Sequence, residues 1–152
     1  MISLSLAKKL KHAGLVWQPQ LHDFFAIPDT ELDKQVFVVS DMMIDVQQLF
    51  GHQMITFNGA VEWSLDYILI SDVVWLPTEG QLRQALEFSL LMEHQPAVEL
   101  VCLVDRYRCR IRYQGISHEF NGENASDAYG RALLYILEQF DGQNPLISGP
   151  IA

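Results

Sequence analysis

The stretch Val98-ELVCLVDRYRCRIRYQGISHE-Phe120 alternates apolar and polar residues through three segments, and it decides how the second half of the chain folds. Alternation with a period of two is typical of half-buried strands. We place Asp105-Arg106 and Gln114-Gly115 in the two connecting turns. The pattern then predicts three antiparallel strands near residues 97–104, 107–113 and 116–121.

This placement of the turns also predicts a register. Cys102 lies opposite Cys109, Glu99 opposite Arg112, and Glu119 opposite Arg110. One face of the sheet is then almost wholly apolar, and the other carries the three arginines of the central strand. A slip of one residue would move every side chain to the wrong face, which favours a register that keeps the faces separate.

Two amphipathic segments flank the meander. Thr78-Glu-Gly-Gln81 has the composition of a capping box and predicts a helix from residue 78 to about 94. Asn124 is a suitable N-cap for a second helix over 125–140. Both helices are expected to cover the apolar face. The sequence therefore predicts an α+β fold, an antiparallel sheet with helices packed on one face, and a C-terminal α-β-β-β-α unit.

The first half of the chain has weaker signals. Ser3 and Gly14 delimit a helix, with Leu15 placed to complete a Schellman ending. A second helix is predicted from Asp41 to Phe50, where Gly51 would end it. The predicted strands cover residues 15–17, 23–27, 35–39, 54–57 and 73–76. The third of these is apolar on both faces, which is typical of a central strand.

Residues 58–66 allow two interpretations. Asn58-Gly59 between apolar residues is a hairpin signal. Val61, Leu65 and Ile68 instead keep helical spacing, and Asn58 could cap that helix. We favour a helix from about 60 to 70 and keep the hairpin as the alternative.

The length of 152 residues predicts a single domain, since domains hold roughly 150 residues. Two lobes are the alternative, a mixed α/β lobe over 1–77 and the α-β-β-β-α unit over 78–140. The tail 141–152 contains two prolines and is expected to be loose.

Composition excludes several classes of function. The formal net charge is −9, which argues against nucleic-acid or anionic-membrane partners because phosphate binding depends on Lys and Arg. We find no stretch of about 18 apolar residues and no signal peptide, so a cytoplasmic protein is expected. No nucleotide-binding loop, nucleophile elbow or metal-binding motif occurs, and no cofactor is predicted.

The arginine stripe is the candidate interaction site. Alternation puts Arg108, Arg110 and Arg112 on one face, together with Val101 and Leu103. Guanidinium groups in a row can hold a phosphate, a carboxylate or an acidic partner. The two aliphatic residues suggest that this face is covered, either by the 1–77 half or by a second copy of the chain. The alternative is a solvated face whose arginines pair with nearby glutamates.

Other reactive residues give weaker signals. Cys102 and Cys109 are expected to be close, reduced and buried as structural thiols. A dispersed hydrolytic or metal site could still assemble from distant histidines and carboxylates, and no catalytic residue or metal ligand is assigned. The candidates for such a site are His22, His52, Asp41, Glu62 and Asp66.

Three sequence features carry a family resemblance. They are Trp75-Leu-Pro-Thr-Glu-Gly-Gln-Leu82, Tyr107-Arg-Cys109, and Asp127-Ala-Tyr-Gly-Arg-Ala-Leu-Leu134. Over residues 54–140 the chain resembles short uncharacterised proteins of Gram-positive bacteria and their phages, some of which look like a two-layer ABA sandwich. The resemblance implies a fold for the C-terminal half, and it implies no activity and no catalytic residue.

Three functions follow as hypotheses. The first is a small non-enzymatic acidic interaction or regulatory module that binds a protein partner or forms a homodimer. The second is an inhibitor or immunity-type protein whose negative charge neutralises a basic partner. The third is a small hydrolase or metal enzyme with the dispersed site.

Overall fold

The computed structural model describes residues 1–32, 34–40, 44–57 and 67–140. Within these ranges it contains three α-helices and three small antiparallel sheets, so the fold is α+β as predicted. The chain divides into two compact units. One comprises Met1–Trp17 together with the chain from Pro77 onward, and the other is Gln18–Leu76.

The elements have the following bounds. The helices are α1 (Leu4–His12), α2 (Glu79–Ser89) and α3 (Ala125–Gln139). The strands are β1 (Phe24–Ala26), β2 (Phe37–Val38), β3 (Ile44–Leu49), β4 (His52–Phe57), β5 (Tyr67–Leu69), β6 (Val74–Trp75), β7 (Val98–Cys102), β8 (Tyr107–Tyr113) and β9 (Ile116–Gly122).

Helix α1 belongs to the same unit as α2 and α3, whereas the two-lobe alternative grouped it with residues 1–77. It packs against α3 and buries the apolar residues Leu6 and Leu10. Gly130 of α3 allows this approach, because a Cβ there would lie 2.9 Å from Leu6 Cδ2. The apolar stripe of a nine-residue helix needs such a surface, since short helices are marginal without tertiary packing.

The ends of the helices largely follow the local sequence signals. The Schellman ending of α1 is confirmed, since the Leu15 N–H donates to the Leu10 carbonyl at 3.0 Å and Gly14 has a φ of 99°. The capping box is confirmed as well: Thr78 Oγ1 accepts from the Gln81 N–H at 3.3 Å, and the Gln81 side chain accepts from the Thr78 N–H at 2.9 Å. Helix α2 ends at Ser89, before the predicted end near residue 94.

The N-termini of α1 and α3 share one buried carboxylate. Asp127 is only 6% exposed, and its Oδ1 accepts from the Ser3 N–H at 2.8 Å. The Asp127 N–H in turn donates to the Asn124 side chain at 2.9 Å, which is the predicted cap. Ser3 occupies the N-cap position but makes no side-chain cap bond. A negative charge beside helix N-termini is favoured by the helix dipoles.

The second hairpin of the meander has the predicted register. Arg110 pairs with Glu119, and Ile111 pairs with His118. Gln114 and Gly115 both have positive φ, at 51° and 77°, as a two-residue type I′ turn requires.

The first hairpin differs from the prediction by two residues. Cys102 pairs with Tyr107, and Glu99 pairs with Arg110 rather than Arg112. A two-residue turn at Asp105-Arg106 would need positive φ, which neither residue adopts. The connection instead spans residues 103–106 and is closed by the Leu103 N–H bond to the Arg106 carbonyl at 2.8 Å. Because the shift is an even number, every side chain stays on its predicted face.

The apolar face of the β7-β8-β9 sheet is covered mainly by one helix. Helix α3 packs on β8 and β9, while α2 and α1 both pack against α3. Cys109, Ile111 and Tyr113 of β8 are buried beneath it. The expectation that both flanking helices lie directly on the sheet is therefore met chiefly by α3.

The second unit contains two small sheets, in the orders β2-β1-β6 and β3-β4-β5. Four predictions for the first half of the chain are wrong. Residues 15–17 form no strand, β2 lies at a sheet edge rather than in the centre, and residues 44–49 form a strand where a helix was predicted. Residues 67–69 are also a strand rather than the end of a helix, whereas the choice between helix and hairpin at 58–66 falls outside the described residues.

Candidate interaction surface

The candidate surface is the face of the β7-β8-β9 sheet opposite α3, and we call it the arginine face. Strand β8 is central, and its alternation places Arg108, Arg110 and Arg112 on this face while Cys109 and Ile111 point into the core. Val101 and Leu103 share the arginine face by the same alternation. The arginine face comprises Glu99, Val101, Leu103, Arg108, Arg110, Arg112, Ser117, Glu119 and Asn121.

Arg110 lies at the centre of an ion network. It contacts Glu119 through Nη2–Oε1 at 2.7 Å and Nε–Oε1 at 2.9 Å, and Glu99 through Nη1–Oε2 at 3.0 Å. Hydrogen bonding to Arg110 lowers the pKa of Glu119, and the same bond raises the pKa of Arg110. These groups therefore hold each other in the charged state, and the predicted pairing of Glu119 with Arg110 is confirmed.

The two outer arginines have weaker or neutral partners. Arg108 Nη1 lies 3.6 Å from Glu119 Oε2, and its Nε donates to Asn121 Oδ1 at 3.4 Å. Arg112 donates to the neutral Gln95 Oε1 at 2.9 Å, and it forms no ion pair with any residue that the structure describes. The shifted register explains this, because Glu99 now faces Arg110 instead of Arg112.

The charge on the arginine face is opposite in sign to that of the chain. Three guanidinium groups and two carboxylates give the face a formal charge of +1, whereas the whole chain carries −9. Four of the six arginines of the sequence lie between positions 106 and 112. Arg110 and Arg112 are exposed, and Val101 and Leu103 are half-buried between them and the edge of the sheet. The face thus offers cations beside apolar side chains.

An open polar groove adjoins one end of this face. It has a volume of about 350 Å³ and lies beside the turn between β7 and β8. Its arginines are already engaged, Arg106 by Asp105 at 2.8 Å and Arg131 by the Asn121 carbonyl at 2.7 Å. The groove therefore extends the polar surface around Asn121, whose side chain also accepts from Arg108. Neither Gln95 nor Arg131 was singled out in the sequence, since their proximity depends on tertiary structure.

The two thiols differ in environment, which corrects the expectation that both are buried. Cys109 is completely buried, and burial raises its pKa to about 12, so it is neutral at physiological pH. Cys102 is exposed at the end of β7, and both thiols are free. The shorter strand explains the difference, because Cys102 pairs with Tyr107 beside the turn rather than with Cys109. A hydrogen bond with the Cys102 side chain raises the pKa of Tyr107.

The dispersed hydrolytic site has no support from the described part of the chain. No group of three or more His, Cys, Asp or Glu residues within it is placed to hold a metal ion. Three of the candidates, Asp41, Glu62 and Asp66, lie outside the described residues. His22 and His52 are both exposed residues of the second unit.

No family model, curated protein or solved structure matches this chain. The resemblance to proteins of Gram-positive bacteria and phages therefore stays a prediction. No helix among the described residues is both long enough and apolar enough to cross a bilayer.

Proposed function

We propose that the protein is a non-enzymatic interaction or regulatory module that binds an acidic segment of a protein partner through its arginine face. The observation that carries the proposal is the incomplete neutralisation of the arginine row. Arg110 has two carboxylate partners, whereas Arg112 has only the neutral side chain of Gln95 among the described residues. A carboxylate from a partner would form a bidentate pair with Arg112 more strongly than an amide does.

The surroundings of the row favour a protein ligand over a small anion. Val101 and Leu103 supply half-buried apolar area next to the charges, and Ser117 adds a hydroxyl. Protein interfaces combine such apolar patches with arginine, and charge complementarity directs the orientation of the partner. The strongly negative remainder of the chain would repel an acidic partner elsewhere and so direct it to this face.

Fluorescence anisotropy with a labelled glutamate-rich peptide tests the proposal. We expect the peptide to bind at low ionic strength and to lose affinity as salt screens the charges. Arg112→Gln should weaken binding by at least about tenfold, because one charge-assisted contact is worth roughly 1.5–3 kcal/mol when formed.

Arg83→Gln is the matched control. Arg83 is an exposed arginine of α2 paired with Glu87 at 2.8 Å, so its substitution changes the net charge equally without touching the arginine face. Equal effects of Arg83→Gln and Arg112→Gln would overturn the proposal. Binding of a lysine-rich peptide in place of the acidic one would overturn it too and would favour the inhibitor or immunity-type function, in which the acidic surface neutralises a basic partner.

A further inference from the structure

The two edges of the β7-β8-β9 sheet are protected unequally. At the β9 edge, Arg131 Nη1 donates to the Asn121 carbonyl at 2.7 Å. Tyr113 and Ile116 flank the two-residue turn and form a hydrogen-bonded pair. Hydrogen-bonded and non-hydrogen-bonded pairs alternate along the ladder, so Asn121 is in a non-hydrogen-bonded pair and its backbone N–H and C=O point away from β8. The Arg131 side chain therefore occupies a position that another strand would need. Charged side chains that block an edge in this way are a common defence against strand addition.

The β7 edge presents its backbone groups outward at three residues. The Leu103 N–H bonds to Arg106 and the Arg112 N–H bonds to Ala97, so the odd-numbered residues of this strand face β8. Hydrogen-bonded and non-hydrogen-bonded pairs alternate in an antiparallel ladder. The N–H and C=O groups of Val98, Leu100 and Cys102 therefore point away from the sheet.

No described residue occupies this edge. The outward backbone groups of β7 have no hydrogen-bond partner within the described chain. The strand contains neither proline nor lysine, and its one charged side chain, Glu99, is held by Arg110 on the arginine face. Unpaired edges of this kind are templates for pairing with another strand.

We propose that β7 pairs antiparallel with β7 of a second copy of this chain, about a two-fold axis at Leu100. Val98 then lies opposite the partner's Cys102, and Leu100 lies opposite the partner's Leu100. Each such pair exchanges two backbone hydrogen bonds. The two sheets become one continuous sheet with their arginine faces on the same side. The proposal concerns the strand edge and does not depend on the acidic ligand proposed above.

The sequence of β7 is self-complementary in this register. All five residues Val98–Cys102 are paired, and Glu99 lies opposite the partner's Val101. In the neighbouring register the two-fold axis would lie at Glu99, and Glu99 would lie opposite the partner's Glu99. That register is unfavourable because like charges directly opposite each other repel. An isologous two-fold interface needs this kind of self-complementarity.

Both faces of the enlarged sheet keep their character. On the face toward α3, Leu100 continues the apolar row that begins at Cys109. On the arginine face, the half-buried Val101 and Leu103 gain the partner's Glu99 and Ala97 as cross-strand neighbours. The pairing thus gives both aliphatic side chains a cross-strand neighbour on the arginine face.

Cys102→Pro tests the proposal with little effect on the fold of one copy. The Cys102 N–H points outward, so proline at this position removes no bond to β8, and proline is tolerated at such edge positions. The side chain is exposed, and Cys102→Ser is a matched control that retains the N–H. Sedimentation velocity from micromolar to millimolar concentration should show a dimer for the native chain and for Cys102→Ser. The dissociation constant of the dimer should be roughly thirtyfold higher for the Pro variant, because the symmetric dimer loses two hydrogen bonds.

Amide hydrogen exchange identifies the surface independently of the variant. In a monomer, the amides of Glu99 and Val101 are protected and those of Val98, Leu100 and Cys102 exchange rapidly. In the proposed dimer, all five are protected, and protection of the latter three increases with concentration. A chain that stays monomeric at millimolar concentration would overturn the proposal. So would a dimer in which those three amides still exchange rapidly.

Salt distinguishes this association from the acidic-ligand function. Each copy carries −9, so screening should strengthen the dimer, whereas it should weaken the binding of a glutamate-rich peptide. Dimer formation that weakens with salt would point to an ionic contact through the arginine face and would contradict pairing at the edge.

Discussion

The two faces of the β7-β8-β9 sheet alternate along the same strands yet are held by different forces. Toward α3, Cys109 and Ile111 are at most 1% exposed. On the arginine face, the side chains of Arg110 and Glu119 remain 44% and 41% exposed although they contact each other at 2.7 Å. Apolar burial stabilises in proportion to area, whereas exposed ion pairs contribute little. The face toward α3 therefore contributes more to the stability of this unit than the arginine face does.

Substitution of Ile111 by alanine should produce the largest loss of stability. It removes completely buried methyl groups and leaves a cavity under α3, so we expect about 2–5 kcal/mol lower free energy of unfolding. Arg112→Ala, the next residue on the opposite face, is the control and should have a much smaller effect. Urea denaturation of both variants measures the difference. Equal losses of unfolding free energy in the two variants would mean that both faces stabilise the fold alike, which would contradict the difference between them.

The two thiols differ in the same way, since Cys109 is buried and Cys102 is exposed, and the expected loss of stability is smaller. Cys109→Ser should lower the free energy of unfolding by roughly 1–3 kcal/mol, because a hydroxyl would be buried in an apolar site. In the native protein, a thiol reagent should modify the exposed Cys102 rapidly and Cys109 only after unfolding. Stopped-flow labelling, with Cys102→Ser to isolate the slow thiol, gives both rates. Rapid reaction of Cys109 in the native protein would show that the sheet face beneath α3 is accessible to the reagent.

The acid dependence of Glu119 should produce the smallest effect. Its pKa is lowered in the folded state, chiefly by hydrogen bonding to Arg110. The folded state therefore binds fewer protons, and the stabilisation is present above the unfolded pKa of about 4.3 and is lost as pH falls through the folded pKa. Denaturation between pH 7 and pH 3 should show a shallower loss for Glu119→Gln than for the native chain. A Glu119→Gln profile as steep as the native one would contradict the prediction.

Local signals predicted the elements whose ends are determined by neighbouring residues. Thr78 with Gln81 and Gly14 with Leu15 specify their helix ends within one turn, and Gln114-Gly115 specifies a hairpin within two residues. The faces of the sheet follow from alternation alone, which is why the arginine face was recognisable before the register of β7 was known. The partner of each arginine required that register, and Gln95 and Arg131 required the tertiary structure.

The second unit was predicted poorly because its local sequence patterns are compatible with more than one structure. Gly51 was interpreted as the end of a helix, since glycine adopts the positive φ needed there. It has that positive φ, at 82°, together with Phe50 at 51°, but the two form the turn between β3 and β4. The pairing of β1 with β6 joins residues about fifty positions apart, and no local pattern specifies such a contact.

The contact between α1 and α3 has a consequence for the protein as it leaves the ribosome. Helix α1 is synthesised before α3, and the surface that α1 contacts, including the Asp127 carboxylate that accepts from the Ser3 N–H, lies more than a hundred residues later in the chain. At bacterial or eukaryotic rates of roughly 5–20 residues per second, its apolar stripe waits on the order of ten seconds for a partner. The docking of α1 is therefore a late step in the folding of its unit, because it must wait until α3 has been made.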